Sequence, residues 1–206
     1  ILQRPQLQAA CDWVRGKGLH LLVDEIYHGL HYVDDLPSVL ELDQSCFVVN
    51  SFSKYYGMTG WRLGWIVVPE EFVSVTNTVA QNLYISASSI AQYAALAAFT
   101  DEARLVFEQR RQAFRERGDY LSKALKEIGF ILADSIQGAF YIYANISKFS
   151  ADCEQFCHQM LEDHGVAITP GTDFGEYECK KFVRFAFTTD MASLQQGVER
   201  LRKALK

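Results

Sequence analysis

Residues 51–64 read SFSKYYGMTGWRLG and begin at the end of the apolar run 46–52. The run predicts a strand, so Lys54 and the glycines that follow it fall in a turn at a strand end. Glycine allows a backbone to approach a ligand closely, serine hydroxyls can donate to phosphate oxygens, and Arg62 carries a planar fork of donors. The stretch is therefore either an anion-binding turn or a glycine-rich surface turn with a solvated lysine.

A second polar segment, Asp24-Glu25-Ile26-Tyr27, follows the apolar run 19–23, which is typical of a buried parallel strand. Ligands of open α/β sheets collect where such strands end, so Asp24 and Lys54 would meet there if their strands are neighbours. An aspartate keeps a pyridine nitrogen protonated, and a lysine amine forms a Schiff base with an aldehyde. These are the two groups that pyridoxal 5'-phosphate (PLP) chemistry needs, although acidic residues at strand ends are also common helix caps.

Strand, loop and helix alternate along the first half of the chain, which predicts an α/β fold followed by a smaller α+β unit. Predicted strands lie at 19–23, 46–52, 63–68, 138–144, 166–169 and 182–187. Predicted helices lie at 5–17, 70–82, 86–99, 101–128, 151–164 and 191–205. The change of pattern predicts two domains, 1–105 and 106–206, joined through a helix.

The composition of the 206 residues, 49% hydrophobic and 22% charged, is that of a globular protein, and the formal net charge is -5. Lysine and arginine form no basic stripe, so nucleic acid is not an expected partner. Charges and glycines interrupt each apolar stretch before it reaches the roughly 18 residues of a membrane-spanning helix. We therefore expect a soluble protein.

The cysteines are odd in number and scattered, which favours a reducing compartment and a cytoplasmic location. They are Cys11, Cys46, Cys153, Cys157 and Cys179. Cys153 and Cys157 share a helix face beside His158, a spacing that fits either a metal site or two buried small side chains. Buried side chains are the more common use of free cysteine, so we predict no metal.

Five ordered motifs together resemble the class I/II aminotransferases, the aspartate aminotransferase-like group of fold-type I PLP enzymes, over essentially the whole chain. The motifs are Asp24-Glu25-Ile26-Tyr27, Ser51-Phe52-Ser53-Lys54, Gly57-Met58-Thr59-Gly60-Trp61-Arg62-Leu63-Gly64, Pro170-Gly171-Thr172-x-Phe174-Gly175 and Val183-Arg184-Phe185-Ala186-Phe187. The resemblance implies the C-terminal portion of a PLP-dependent transferase fold. It identifies 1–105 with the C-terminal part of the PLP-binding large domain and 106–206 with the small domain.

The resemblance implies three catalytic residues. Lys54 would form the Schiff base with PLP and carry a proton between substrate and cofactor carbons. Asp24 would pair with the pyridine nitrogen, and Tyr27 would donate a hydrogen bond to the phenolic oxygen of the ring. All three are then cofactor-binding residues as well.

The resemblance also implies four binding residues outside the bond-making chemistry. Ser51, Ser53 and Arg62 would hold the cofactor phosphate. Arg184, on a strand of the small domain, would bind the α-carboxylate of the substrate through two parallel hydrogen bonds. The alternative for Arg184 alone is an ordinary surface arginine on a strand.

The family's remaining functional elements, a glycine-containing phosphate loop, an aromatic that stacks on the ring and an asparagine, are expected before Ile1. We therefore expect a fragment that binds PLP weakly or not at all, from an intact homodimer about twice as long. The expected reaction is amino transfer between an amino acid and a 2-oxo acid. A carbon-sulfur β-lyase and the effector domain of a PLP-binding transcription regulator share these motifs. In the dicarboxylate-specific branch of the family that the chain resembles, an arginine from the segment before the long helix recognises the distal carboxylate. This sequence has no arginine between Arg62 and Arg104, so we expect neutral or aromatic amino donors.

Overall fold

The computed structural model describes residues 1–133 and 135–206. The chain divides into two compact units, Ile1–Arg111 (unit 1) and Gln112–Lys206 (unit 2). Both units combine helices with a three-stranded sheet, so the predicted α/β and α+β character is confirmed. The predicted division into a large domain at 1–105 and a small domain at 106–206 stays a prediction. The two units show only how this chain itself divides into compact parts.

The sheet of unit 1 contains β1 (Leu22–Asp24), β2 (Phe47–Ser51) and β3 (Gly64–Val67) in that order. β1 runs parallel to β2, with Asp24 opposite Val49, and β3 is antiparallel to β2. The predicted strand 19–23 was wrong at its start. Leu19 does not join the strand because its amide still donates to the carbonyl of Val14 at 3.1 Å, at the end of helix α1 (Arg4–Gly16).

The helices of unit 1 are α1, α2 (Val73–Tyr84), α3 (Ser89–Leu96) and the first part of α4 (Asp101–Ile128). Helix α3 begins later than predicted because Ser88 caps it, with its hydroxyl accepting from the amide of Ala91 at 3.5 Å. The predicted helices 70–82 and 86–99 each include one short 3-10 turn, at Glu70–Phe72 and Ala97–Phe99.

Unit 2 has an antiparallel sheet in the order β4 (Tyr141–Asn145), β6 (Phe182–Ala186) and β5 (Thr169–Pro170). Beside it lie the rest of α4, α5 (Cys153–His164) and α6 (Met191–Ala204). The predicted strand 138–144 begins only at Tyr141, because Ala139 has φ +62°, outside the extended region.

The predicted strand 166–169 was also wrong at its start. Helix α5 ends at His164 with Gly165 as its C-cap at φ +62°, and the amide of Val166 returns to the carbonyl of Met160 at 2.9 Å. This is a Schellman-type ending, which uses the backbone of Val166 to cap the helix and not to extend a strand.

The two units bury their apolar side chains differently. In unit 2 one continuous core includes Phe187, Leu125, Ile146 and Val183, each 0% exposed. Unit 1 has two smaller clusters, one around Val39 beneath α1 and one around Phe52 beneath α3.

Within residues 1–133 and 135–206, no helix combines the length and the apolar character that crossing a membrane requires.

Candidate active site

The parallel strands β1 and β2 end at the same edge of the sheet, and the chemically active side chains of unit 1 follow these ends. Asp24 is the last residue of β1 and Ser51 the last of β2. Because Asp24 lies opposite Val49 in the register, Ser51 extends two residues past it. The turn that carries Lys54 starts from this edge, as the sequence predicts.

The adjacent acids Asp24 and Glu25 have different surroundings. Glu25 is only 6% exposed and accepts hydrogen bonds from the hydroxyl of Ser38 at 3.0 Å and the amide of Val39 at 2.8 Å. Asp24 is exposed, and its Oδ1 accepts from the amide of Ile26 at 3.0 Å. Glu25 therefore connects the end of β1 to the segment at Ser38 and Val39, whereas Asp24 is exposed at the strand end.

Lys54 lies beside Tyr27. Its Nζ is 5.7 Å from the centroid of the Tyr27 ring, within the range of a cation–π contact, and both side chains are half-buried. The structure thus brings together an amine and a phenol that the sequence separates by 27 positions. Both belong to the strand edge where Asp24 lies.

The hydroxyls of Ser51 and Ser53 lie 2.9 Å apart, and the amide of Ser53 donates to Oγ of Ser51 at 3.0 Å. Gly64 faces Ser51 across the β2–β3 pair. A Cβ at Gly64 would lie 2.7 Å from the carbonyl oxygen of Asn50, so only glycine allows the two strands this close approach.

Arg62 closes the same turn. Its backbone is left-handed, with φ +52°, and its Nη1 donates to the carbonyl of Thr59 at 3.0 Å. The hydroxyl of Thr59 in turn donates to the carbonyl of Ser53 at 2.6 Å. One compact turn therefore presents two serine hydroxyls and an exposed guanidinium.

The sequence reasoning missed the part of α4 that contacts this turn. The hydroxyl of Tyr55 donates to Oε1 of Glu108 at 2.6 Å, and Nε of Arg111 donates to Oε2 of Glu108 at 2.8 Å. Burial, followed by the hydrogen bond to Glu108, raises the pKa of Tyr55 to about 12. The two segments lie 53 residues apart, so no local sequence signal connects them.

A polar cavity of about 500 Å³ lies next to these side chains in unit 1. Its walls include His28, His31, Asp34, Asn50 and Tyr56. Burial, followed by the charge of Arg111, lowers the pKa of His31. Its Nδ1 accepts from the amide of Gly29 at 3.2 Å, as a neutral imidazole can.

Arg184 lies on β6 of unit 2, opposite Tyr143 of β4. Its guanidinium carbon is 4.5 Å from the ring centroid of Phe174 and 5.4 Å from that of Tyr141. In the part of the chain that the structure describes, Nε of Arg184 is the one buried side-chain nitrogen or oxygen without a hydrogen-bond partner. Aromatic rings thus hold a planar cation whose Nε donor is unused within the described residues.

Close packing explains why position 171 of the Pro170-Gly171 motif is a glycine. A Cβ at Gly171 would lie 2.7 Å from the carbonyl oxygen of Phe182 and 2.8 Å from the hydroxyl of Tyr143. The turn Gly171–Phe174 can therefore lie against β6 and bring Phe174 to Arg184 only if this residue has no side chain.

Cys153 and Cys157 lie in the core of unit 2 on α5. Burial raises the pKa of the Cys157 thiol to about 12, which disfavours the thiolate that a metal would need. Among residues 1–133 and 135–206, no three His, Cys, Asp or Glu side chains form a group that could hold a metal ion.

Comparison with known proteins identifies the family. Residues 1–201 match the aminotransferases of class I and II. The chain belongs to this family. The family resemblance that the five motifs predict is confirmed, and so is the aminotransferase type of fold.

The chain is similar to a valine–pyruvate aminotransferase of Mycobacterium tuberculosis, with 34% identity over 98% of this chain and 52% of that protein. It is also similar to an aspartate aminotransferase of Streptomyces avermitilis, with 34% identity over 100% of this chain and 53% of that protein. A crystal structure of an aminotransferase from Mycobacterium tuberculosis superposes with a TM-score of 0.96 at 35% identity, covering 100% of this chain and 54% of that one.

The chain therefore spans about half the length of these aminotransferases. Its likeness to them does not test which of its residues bind a cofactor or a substrate. The roles of Lys54, Asp24, Tyr27 and Arg62 stay predictions, as do those of the two serines and Arg184.

Proposed function

We propose that this chain carries the lysine and most of the cofactor contacts of a PLP-dependent enzyme. The whole protein would move an amino group between an amino acid and a 2-oxo acid. One observation supports this proposal above the others: Nζ of Lys54 lies 5.7 Å from the Tyr27 ring, at the sheet edge where Asp24 and Ser51 end parallel strands.

The residues at this edge fit PLP in their chemistry. An aldehyde needs an amine, a pyridinium nitrogen needs a carboxylate, and a phosphate needs hydroxyl and guanidinium donors, and the edge carries all four groups. When bound, PLP supplies an electron sink for carbanion chemistry. Asp24 would hold a proton on the ring nitrogen through its outward-facing carboxylate, and Tyr27 would donate to the ring's phenolic oxygen.

Lys54 would be the amine that bonds the cofactor and then the base that moves a proton at Nζ. Its side chain is half-buried beside Tyr27, which restricts the positions that Nζ can take. A base held in one place transfers a proton more effectively than one that samples solvent.

Ser51, Ser53 and Arg62 would hold the phosphate. Their turn is fixed by the hydrogen bonds of Thr59, and glycine at position 64 lets β3 approach closely. Ser51 and Arg62 now donate to the carbonyls of Leu63 and Thr59, and rotation of these side chains alone would redirect them to an anion without any rearrangement of the backbone.

Arg184 would bind the α-carboxylate of the substrate. The rings of Phe174 and Tyr141 hold its guanidinium, and its buried Nε retains an unused donor in the described chain. A carboxylate satisfies Nε and one terminal nitrogen at once, which is the geometry that arginine offers.

The proposed amino donors are neutral or aromatic amino acids, since no arginine lies between Arg62 and Arg104. The relatives differ on this point, because one is a valine–pyruvate and another an aspartate aminotransferase. Measuring amino transfer by the intact protein from aspartate, valine and phenylalanine decides it, and preference for aspartate would overturn the proposal. Release of pyruvate and ammonia from cystathionine without a keto acid would instead identify a β-lyase.

For the whole protein we propose a homodimer in the cytoplasm, as the resemblance and the cysteine usage suggest. For the 206 residues alone we propose weak PLP binding. An absorbance band of lysine-bound PLP that survives dialysis of this chain would contradict weak binding.

The central test is chemical trapping. The chain is mixed with PLP and reduced with borohydride, and the modified lysine is located by peptide mass spectrometry. We expect modification of Lys54 in preference to the other lysines, and its loss in Lys54→Arg. Lys148→Arg, an exposed lysine in unit 2, is the matched control. Equal modification across many lysines would overturn the proposed function.

A further inference from the structure

We propose that Glu108 and Arg110, two residues of α4, are positioning residues for Lys54 that act through Tyr55. The inference rests on the proposed function of Lys54 and deepens it. Tyr55 follows Lys54 directly in the chain. Its backbone and its hydroxyl are both held from α4, so the turn that carries the amine depends on a segment that no sequence motif includes.

Arg110 holds the backbone of the turn. The side chain is half-buried, and its Nη2 donates to the carbonyl of Tyr55. Its guanidinium occupies the space beside Gly57, where an added Cβ would lie 3.0 Å from Cζ of Arg110. Gly57 has φ +70°, a conformation that glycine adopts without strain, and it also leaves the room that Arg110 needs.

Glu108 holds the side chain of Tyr55. It accepts the tyrosine hydroxyl at 2.6 Å and is itself fixed by Arg111, whose Nη2 lies 2.6 Å from Oε2. The hydrogen bonds from Tyr55 and Arg111 outweigh burial and hold the pKa of Glu108 below its usual value. Glu108 is therefore a carboxylate at neutral pH and a strong acceptor for Tyr55.

Tyr55 follows Lys54 directly, and two backbone hydrogen bonds close the turn around both residues. The amide of Gly57 donates to the carbonyl of Lys54 at 3.1 Å, and the amide of Met58 donates to the carbonyl of Phe52 at 2.9 Å. Lys54 lies inside the turn that these two bonds close, between Phe52 and Met58. If Arg110 releases the carbonyl of Tyr55, the turn loosens, and Nζ loses its fixed place beside Tyr27.

The first test needs no cofactor. Hydrogen–deuterium exchange of the Gly57 and Met58 amides is measured in the chain and in Arg110→Met. We expect exchange to rise roughly ten- to hundredfold, as for the loss of one hydrogen bond from a charged donor. Arg110→Lys retains a cationic donor and should restore part of the protection. Arg115→Met, an exposed arginine on the same helix, should change nothing.

The second test separates positioning from general stability. The fraction of PLP that borohydride traps on Lys54, relative to that trapped on the other lysines, is measured at one pH. We expect this fraction to fall in Arg110→Met and to recover in part in Arg110→Lys, because a loosened turn no longer holds Nζ in one place. Tyr55→Phe removes only the bond to Glu108 and should lower the fraction by less.

The outcomes are distinguishable. Unchanged exchange at Gly57 and Met58, or an unchanged fraction of PLP trapped on Lys54 in both Arg110→Met and Tyr55→Phe, overturns the positioning role while Lys54 keeps its proposed function. Faster exchange throughout unit 1 also overturns it, because Arg110 would then stabilise the whole unit and not the turn. Absence of trapping at Lys54 in the unmodified chain overturns the proposed function instead.

Discussion

The sheets of unit 1 and unit 2 each contain three strands, but their surroundings differ. In unit 2 alternate residues of β4 and β6 lie in one continuous core, where Ile142 is 6% and Phe185 5% exposed. In unit 1 every residue of β3 is exposed, including Trp65 at 38% and Ile66 at 44%. The residues of unit 2 thus bury one another, whereas unit 1 leaves a strand of apolar side chains in solvent.

The difference continues along the helices of unit 1. Exposed apolar side chains on α2 and α3 include Leu83 at 76%, Ile90 at 74% and Tyr93 at 77%. Apolar side chains exposed in such numbers are typical of surfaces that another chain segment or subunit covers. They fit a chain that spans about half the length of its relatives. Unit 1, which carries the proposed cofactor residues, is thus also the unit with more exposed apolar side chains.

The largest expected effect comes from a matched pair of isoleucines, one in each sheet. Ile142→Ala should lower the free energy of unfolding by about 2–5 kcal/mol, because it removes a buried side chain and leaves a cavity. Ile66→Ala should cost less than about 1 kcal/mol, because Ile66 is 44% exposed. Urea unfolding curves measure both values.

Equal losses for the two isoleucines would contradict the comparison. They would show that β3 is covered in solution, for example by a second copy of the chain. Repeating Ile66→Ala at several protein concentrations separates these cases, since stability that depends on a second copy rises with concentration.

The sequence predicted well where strands occur along the chain, because each apolar run stands between clear turn residues. The ends were less predictable. Leu19 and Val166 are apolar residues beside predicted strands, yet their amides complete the ends of helices α1 and α5. Apolar pattern alone does not separate a strand residue from one that caps a helix, because the backbone amide finds a hydrogen-bond acceptor in either position.

The candidate site was predictable to the extent that its residues follow strand ends. Asp24 and Lys54 follow two neighbouring apolar runs, and parallel pairing of β1 and β2 brings those ends together. The contacts from Glu108 and Arg110 could not be predicted. They depend on how α4 packs against a turn more than 50 residues away, and that packing is a tertiary property.

A smaller effect is expected at alkaline pH in unit 1. Burial and the hydrogen bond to Glu108 raise the pKa of Tyr55 from 10.0 to about 12, so the folded chain holds this proton more tightly than the unfolded chain. The resulting stability is fully present below pH 10 and is lost as the pH rises through about 12. Half-burial reduces the effect, and we expect about 1–2 kcal/mol.

Tyr55→Phe should therefore show a shallower decline of unfolding free energy than the unmodified chain over this pH range. Urea unfolding below pH 10 and near pH 12 measures the decline. The control is Tyr177→Phe in unit 2, where the ring is 90% exposed. A parallel decline in Tyr55→Phe and the unmodified chain would show that the bond to Glu108 contributes no stability.

The smallest expected effect tests the tight packing of unit 2 with two helical glycines. No heavy atom described by the structure lies within 4 Å of a Cβ built at Gly197 in α6, so Gly197→Ala should raise stability by about 0.5–1 kcal/mol through reduced chain entropy. A Cβ at Gly118 in α4 would lie 3.0 Å from Cζ of Phe187, which is 0% exposed. Gly118→Ala should therefore lose stability, because the added Cβ would press against the fully buried ring of Phe187. Thermal unfolding measures both signs, and stabilisation by both alanines would mean that the core of unit 2 is looser than its burial indicates.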